Sequence, residues 1–444
     1  METALPVGLE ITLAPERLSE GSAEEKAAFG LLVIRTQQGS LTEGFDAFID
    51  AYREGPLVSG YHVAEWIAWN WWRLRWEGRS ASPDWSLAHK MTSIGEGYVW
   101  PNLTIFSDGV RTAIISAASQ SDAKPFRYAG ALPTVVPSGE FEAAIDAFIP
   151  KILARLESAA VADSNLARIW SDILLERADP NIAKRRRLEA FLGRDPDSVE
   201  DDAVERLLAD GAKLGELAVS ELAAEAAQRG PDAAVLGADG IVLLAETKGY
   251  SGSPRDSVKL DAHRKVAFDA GLPAWLIGVR AARALRDQER LGLDPISNRR
   301  LAQLAGVDAG ALGEAAAAGA ELSFALDTSP TDMKLVLRSK WDTGRRFDLG
   351  RLLGDRVMTS NGALHPATRA STYRQKAQRA FSAELLSPFE AVDGMLAGDY
   401  SAENQEEVAG HFQVSELTIA TLLKNHGRIP RDDVDYDFDA PVAA

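Results

Sequence analysis

The chain has 444 residues and a formal net charge of −17, and 46% of its residues are hydrophobic. The length predicts two or three domains, and the apolar fraction is sufficient for globular cores. The acidic balance argues against a protein that coats nucleic acid, because that binding requires clustered Lys and Arg. The absence of cysteine excludes disulfides, thiolate metal sites and cysteine nucleophiles. With neither a signal-peptide pattern nor an apolar run of about 18–20 residues, we expect a cytoplasmic protein with no membrane contact.

The predicted elements change in type along the chain. Three short β-branched runs, bounded by Gly, Ser, Asp and Pro, predict strands at 30–36, 98–106 and 110–116. A tryptophan-dense helical stretch lies between the first two of these strands. Spacing of Ala and Leu then predicts several helices over 141–230. A further helical portion runs from 272 to about 428.

These changes predict an α+β protein with a mixed N-terminal domain, a helical middle and a mainly helical C-terminal domain. The expected division is a Trp-rich α/β domain over 1–140, a helical linker or middle domain over 141–270, a mainly helical domain over 271–428 and an acidic tail over 429–444. The composition of the tail is typical of a disordered segment.

Tryptophans cluster in one predicted helix. Trp66, Trp69, Trp72 and Trp76 recur at three- and four-residue steps, and Arg73 lies among them. Trp and Arg are the favoured anchors of protein interfaces, so these five residues are candidate partner-binding residues. An aromatic stripe with cationic neighbours also fits base stacking. The structural alternative is a core helix that packs on a small sheet.

The segment Gly344–Asp355 carries the most specific pattern in the chain. It reads GRRFDLGRLLGD, and it resembles the segment R-R-F-T-L-A-H-E-L-G-H of the ImmA/IrrE family of zinc peptidases. In that motif two histidines at i and i+4 hold zinc on one helix face, and the glutamate after the first is the general base. Here Arg351, Leu352 and Asp355 stand at these three positions. The resemblance therefore implies the helix without its metal chemistry.

Three further segments resemble the family in the same order. Phe381–Pro388 is similar to its F-A-A-E-L-L-M-P segment, Glu407–Leu423 to its closing helices and Ala274–Arg286 to its first helix. The resemblance places the third zinc ligand, a glutamate, at the position of Gln375, whose amide is a poor zinc ligand. The matches cover about 273–428, roughly a third of the chain. They imply a zincin-like fold of ImmA/IrrE type.

Replacement of all three ligands and of the base implies a non-catalytic pseudo-peptidase with no metal and no cofactor. Such a protein is expected to be a regulatory or protein-binding factor in phage, mobile-element or stress control. Its expected partner is a repressor, an antitoxin or a similar protein, and nucleic acid is disfavoured. An exposed ion pair between Arg351 and Asp355, which contributes about 0.2–0.5 kcal/mol, would span the former metal face.

Three alternatives remain open. A metal-dependent peptidase with a relocated site would draw its ligands from Asp348, Asp355, His365 and Glu384, although Glu384 is more typical of a capping or helix-pairing residue. A nuclease would use the PD…ExK-like pattern of Pro231-Asp232 and Glu246-Thr247-Lys248, with Mg²⁺ held at a strand end. A DNA-binding regulator would use the helix-turn-helix-like stretch Phe412–Leu423.

Overall fold

The computed structural model of the protein describes residues 8–80, 84–131, 133–161, 163–198, 202–230, 233–313, 320–359 and 362–430. The chain divides into two units, Met1–Glu200 and Asp201–Ala444. In the described residues, strands are concentrated in the first unit and helices dominate the second. This distribution confirms a mixed α/β composition, whereas the zincin-like fold stays a prediction. The expected acidic tail lies, from residue 431 onwards, outside the described residues.

The first unit contains the following described strands: β1 (Leu9–Pro15), β2 (Phe29–Thr36), β3 (Gly39–Ser40), β4 (Gly44–Asp46), β5 (Ala51–Arg53), β6 (Leu57–Ser59), β7 (Leu103–Ser107), β8 (Arg111–Ser116), β9 (Phe126–Tyr128) and β10 (Thr134–Pro137). They form three antiparallel sheets. The first has the order β1-β2-β3, with β6 also paired to β2, and the others have the orders β10-β8-β7 and β5-β4-β9.

The described helices of this unit are α1 (Ala23–Ala27), α2 (Gly60–Trp69), α3 (Trp71–Trp76), α4 (Trp85–His89), α5 (Ser138–Ser158), α6 (Asn165–Ala178) and α7 (Pro180–Phe191). Helix α5 packs against β1, β8, β10 and α2. Its apolar side chains recur at helical spacing, and they share one core with the strands: Phe141, Ile145, Phe148, Ile149 and Ile152. The predicted boundary at residue 140 therefore falls inside one core, and the expected middle domain is divided between the two units.

The second unit contains these described helices: α8 (Asp202–Leu214), α9 (Glu216–Arg229), α10 (Ala238–Lys248), α11 (Ala274–Gln288), α12 (Asn298–Leu304), α13 (Asp342–Met358), α14 (Tyr373–Leu386), α15 (Phe389–Leu396), α16 (Ala402–Phe412) and α17 (Glu416–Asn425). Its strands are β11 (Tyr250–Gly252), β12 (Ser323–Asp327), β13 (Met333–Val336) and β14 (Leu364–Ala367). The sheet has the order β11-β13-β12-β14 and is antiparallel throughout.

Helix α14 is central to this unit because α11, α13 and α17 all pack against it. Thr372 begins the helix as its N-cap, and its side chain accepts a hydrogen bond from the backbone N–H of Gln375. Two glycines allow the close approach of neighbouring helices. A Cβ at Gly278 of α11 would lie 2.2 Å from the Ala377 carbonyl oxygen, and one at Gly354 of α13 would lie 2.5 Å from the Phe381 ring.

One predicted element differs in its bounds from that of the structure. The strand expected over 98–106 begins only at Leu103, because Pro101 lacks the N–H that a sheet ladder needs. The apolar segment Ala238–Lys248, which the nuclease alternative would place at a strand end, is helix α10. The strands predicted at 30–36 and 110–116 are confirmed as β2 and β8.

Candidate functional site

Two of the positions that the resemblance assigns to zinc ligands are in direct contact. Arg351, on α13, donates a hydrogen bond of 2.6 Å from Nη2 to Oε1 of Gln375 on α14. The same Nη2 also donates to the Thr368 carbonyl oxygen at 2.5 Å. Thr368 follows β14 and Thr372 begins α14, so the β14–α14 connection supplies partners to both helices. Leu352, at the position of the family's base, is buried in the apolar core of the unit.

Asp355 accepts four hydrogen bonds. Arg374 donates to both of its oxygens, from Nε to Oδ1 at 2.7 Å and from Nη2 to Oδ2 at 2.6 Å. Gln378 donates to Oδ1 at 2.7 Å, and His365 Nδ1 lies 2.8 Å from Oδ2. A carboxylate accepts about four hydrogen bonds in total. Its capacity is therefore used by protein donors, and a cation at this position would have to displace them.

The charges at this site oppose a divalent cation. Burial favours a raised pKa for Asp355, but Arg374 and His365 overcome that effect and hold the pKa below its ordinary value. Burial lowers the pKa of Arg351 to about 9, so its guanidinium stays charged at neutral pH. Its nearest carboxylate oxygen, Asp348 Oδ1, is 3.9 Å from Nη1. The position that the resemblance assigns to the first histidine is thus occupied by a buried positive charge.

The sequence interpretation missed Glu221, which reaches the same region from α9. Its carboxylate is 5% exposed and accepts a hydrogen bond of 2.7 Å from the Thr372 hydroxyl. Burial raises the pKa of Glu221, and the nearby Arg374 opposes this shift. Glu225, one helical turn later, accepts a 2.5 Å bond from the Arg369 N–H. Two glutamates at i and i+4 on the apolar face of an alanine-rich helix were the available signal.

The expected exposed ion pair between Arg351 and Asp355 is wrong. The two side chains are 4% and 0% exposed, so neither lies on a solvated helix face. Arg351 instead bonds to Gln375, and Asp355 bonds to Arg374. Both partners belong to α14, which covers this face of α13 and supplies the buried hydrogen bonds that a buried charge requires.

The four residues proposed for a relocated metal site do not converge. Asp355 and His365 touch, but Asp348 accepts a 2.7 Å bond from the Ser323 hydroxyl. Glu384 pairs with Arg283 at 2.7 Å and accepts a bond from the Phe389 N–H, as a capping residue does. In the part of the chain that the structure describes, no three His, Asp or Glu side chains are arranged to hold a metal ion.

A groove of ≈ 470 Å³ lies on the other side of α14, between α11, α13 and α17. Three aromatic side chains line it: Trp275, Trp341 and Phe347. Trp341 is 79% exposed, and Leu417 on α17 is 75% exposed. Among the described residues of its lining, the charged side chains are Lys376 and Arg379, both cations. Lys376 is 4% exposed and Arg379 is half-buried, so the groove combines exposed apolar surface with two largely covered cations, features that suit a protein segment.

Most of the tryptophan cluster is core. Trp66, Trp72 and Arg73 are 8%, 6% and 4% exposed. Trp72 Nε1 donates to Glu176 at 2.7 Å, and Arg73 Nε donates to Glu77 at 2.6 Å. A partner would reach these side chains only if the unit opened.

The two remaining members of the candidate set differ from each other. Trp76 is half-buried, with the Arg75 guanidinium 3.8 Å from its ring centre. Trp69 is 63% exposed and lines a pocket of ≈ 290 Å³ with Glu65. Of the five candidate residues, Trp69 is the one that a partner can contact freely.

The residues of the nuclease pattern do not lie at the expected strand end. Glu246 and Lys248 belong to helix α10 rather than to a strand end, and Pro231 and Asp232 lie outside the described residues. The helix-turn-helix-like stretch is formed by α16 and α17, with Ser415 as the N-cap of α17. Its buried side chains, Ile419, Leu422 and Leu423, pack in the core of the unit.

In comparisons with protein-family models, with curated proteins and with solved structures, the chain matched none of them. The family resemblance therefore rests on the motif residues and their spacing. Across the described residues, no helix combines the length and the apolar character that crossing a membrane requires.

Proposed function

We propose that this protein is a non-catalytic pseudo-peptidase of ImmA/IrrE type that works by binding a protein partner. The observation that carries the proposal is the contact between Arg351 and Gln375, at 2.6 Å. The two residues are 24 positions apart in the sequence. The resemblance assigns their positions to the first and third zinc ligands. Their proximity supports a scaffold shared with the family. Their side chains, together with an Asp355 carboxylate whose hydrogen-bonding capacity is already used, are those of a structural hydrogen-bond network.

The groove beside α14 supports protein binding as the retained function. Its rim carries the exposed side chains of Trp341 and Leu417, and its charged lining residues in the described chain are cations. An extended segment with apolar side chains and flanking carboxylates would complement this surface. We propose that the partner, a repressor, an antitoxin or a similar regulatory protein, presents such a segment.

Restoring the ligand set tests the pseudo-peptidase assignment. The variant Arg351→His/Leu352→Glu/Asp355→His/Gln375→Glu supplies three zinc ligands and a base, and we expect it to bind about one zinc ion per chain. The native protein, after dialysis against a chelator, is expected to bind no added zinc. Metal content by atomic absorption and the rise in unfolding temperature on zinc addition are the readouts.

The matched control keeps Gln375 and changes the other three residues, so that it lacks the third ligand and should bind zinc much more weakly. Circular dichroism establishes that each variant is folded before metal is added. Stoichiometric zinc in the native protein would contradict the assignment. A folded four-residue variant that binds no zinc would show that these positions do not share the family geometry.

Binding of a partner through the groove has its own test. Partner capture from the native host should be lost in a Trp341→Ala/Leu417→Ala variant. The control is Leu243→Ala/Phe268→Ala, which removes two similarly exposed apolar side chains of the same unit, 61% and 67% exposed, outside the groove. Equal capture by both variants would show that the partner does not bind in the groove.

A further inference from the structure

The groove is lined by apolar side chains and by two cationic ones. Trp275 and Phe347 are half-buried in its lining, and Trp341 and Leu417 stand out at its rim. Lys376 and Arg379 belong to α14 and are the charged side chains among the described lining residues. An occupant that complements this surface needs aromatic or aliphatic side chains together with carboxylates.

The chain itself contains a segment of this composition, immediately after the described residues. Arg431–Asp439 reads RDDVDYDFD, with five aspartates and one arginine, so its side chains sum to −5 + 1 = −4 at neutral pH. Val434, Tyr436 and Phe438 alternate with the aspartates. In an extended conformation this alternation directs the three apolar side chains to one face and leaves carboxylates along the other.

The end of helix α17 lies beside the groove. Asn425, the last residue of α17, belongs to the groove lining. The next residue, His426, packs against Phe389 with ring centres 3.7 Å apart and against Trp275, which itself lines the groove. Arg428 pairs with Asp393 of α15 at 2.7 Å, and Val434 follows Arg428 by six residues, which span at most about 20 Å when extended. The acidic segment can therefore reach the groove of its own chain.

We propose that the segment Asp432–Asp439 occupies this groove in the same molecule and competes with the protein partner. The inference rests on the proposed partner-binding function of the groove and adds its regulation. Val434, Tyr436 and Phe438 contact the aromatic lining, and the aspartates face Lys376 and Arg379. The segment is tethered close to the groove, so its effective concentration there is of millimolar order. Even a weakly binding segment therefore occupies the groove of its own chain most of the time.

Binding of a labelled peptide to the full-length chain tests this proposal. The probe is a fluorescein-labelled peptide of residues 429–444, and its anisotropy is measured with the native chain and with the full-length variant Tyr436→Ala/Phe438→Ala. The native groove is closed by its own segment, whereas the groove of the variant is open. We expect the variant to bind the peptide at least about tenfold more tightly than the native chain does.

Two pairs of controls fix the site. Adding Leu417→Asp to the open variant should abolish peptide binding, whereas adding Leu243→Asp, at a similarly exposed residue outside the groove, should not change it. A full-length Pro441→Ala/Val442→Ala variant should behave as the native chain does. Peptide binding to the open variant should also weaken as salt is raised, because it depends on opposite charges.

Equal affinity of the peptide for the native and open chains, or no binding to either, would overturn the proposal. A native chain that forms dimers by light scattering, while the open variant stays monomeric, would also overturn it, because the segment would then occupy a second copy. The zinc test of the restored ligand set is independent of these residues. Failure of the tail experiment therefore leaves the pseudo-peptidase assignment standing.

Discussion

At the scale of single residues, the site consists of buried charged side chains held by hydrogen bonds, although Arg351 Nε and Arg374 Nη1 have no hydrogen-bond partner among the described residues. The Asp355 carboxylate is 0% exposed and faces the Arg374 guanidinium through two hydrogen bonds, of 2.7 and 2.6 Å. Such a bidentate pair is stronger than a single neutral hydrogen bond. Removing only one partner is costly, since the remaining charge stays buried without compensation. The residues that the resemblance aligns with zinc ligands thus contribute to the stability of the second unit.

Replacement of Asp355 tests this contribution. The change Asp355→Asn removes the negative charge and turns one acceptor into a donor, which faces Arg374, whose side chain is 11% exposed. We expect a loss of about 3–5 kcal/mol in the free energy of unfolding of the second unit, measured by urea denaturation. Asp393→Asn is the control, because Asp393 binds Arg428, whose side chain is 46% exposed. The control should cost about 0–1 kcal/mol, and a similar loss in both variants would contradict the expectation.

At the scale of secondary-structure elements, the sequence predicted which segments are helical better than it predicted what they contact. The resemblance implied a helix in the segment Gly344–Asp355, and α13 covers Asp342–Met358. The partners of its charged residues were not predictable from local spacing. Thr368, Arg374 and Gln378 follow their partners on α13 by 17 to 23 residues. Glu221 on α9 bonds to Thr372, which follows it by 151 residues.

The tryptophan helix illustrates a second limit. Three- and four-residue spacing identifies one face of a helix, but it does not say what covers that face. Helix α2 ends at Trp69 and α3 begins at Trp71, so the cluster is divided between two helices. Trp69 is 63% exposed, whereas Trp71, which lies off the predicted stripe, is 1% exposed and stacks on Phe141.

Close packing of α11 on α14 yields a prediction at this scale. A methyl group at Gly278 would lie 2.2 Å from the Ala377 carbonyl oxygen and 2.8 Å from the Phe381 nitrogen. Both atoms are backbone, so the helices must separate, and we expect Gly278→Ala to destabilise the second unit by about 1–3 kcal/mol.

The control for this substitution is Gly394→Ala on α15, where the added Cβ meets nothing within 4 Å. Alanine has the higher helix propensity, so this change should stabilise the unit by about 0.5–1 kcal/mol. Thermal unfolding of the two variants gives the comparison. A stabilising effect of Gly278→Ala would show that the two helices do not approach as closely as the structure has them.

At the scale of the whole molecule, the described residues form two separate hydrophobic cores. One contains buried residues from Leu9 to Ala190, and the other contains residues from Leu260 to Leu423. These limits agree with the division of the chain into Met1–Glu200 and Asp201–Ala444. A chain with two cores is expected to depart from two-state unfolding. The tryptophans therefore contribute to the structure of the first unit, and the segment Gly344–Asp355 contributes to that of the second.

Scanning calorimetry with one core substitution in each unit tests this organisation. Trp71→Ala and Phe381→Ala each remove a side chain that is 1% or less exposed and should cost about 3–5 kcal/mol in its own unit. For units of this size the loss lowers the midpoint by roughly 6–20 °C. We expect two transitions in the native chain, each shifted by only one of the substitutions. Trp69→Ala, at an exposed position of the same cluster, should shift neither by more than about 2 °C. A single transition that both core substitutions lower would show that the units unfold as one.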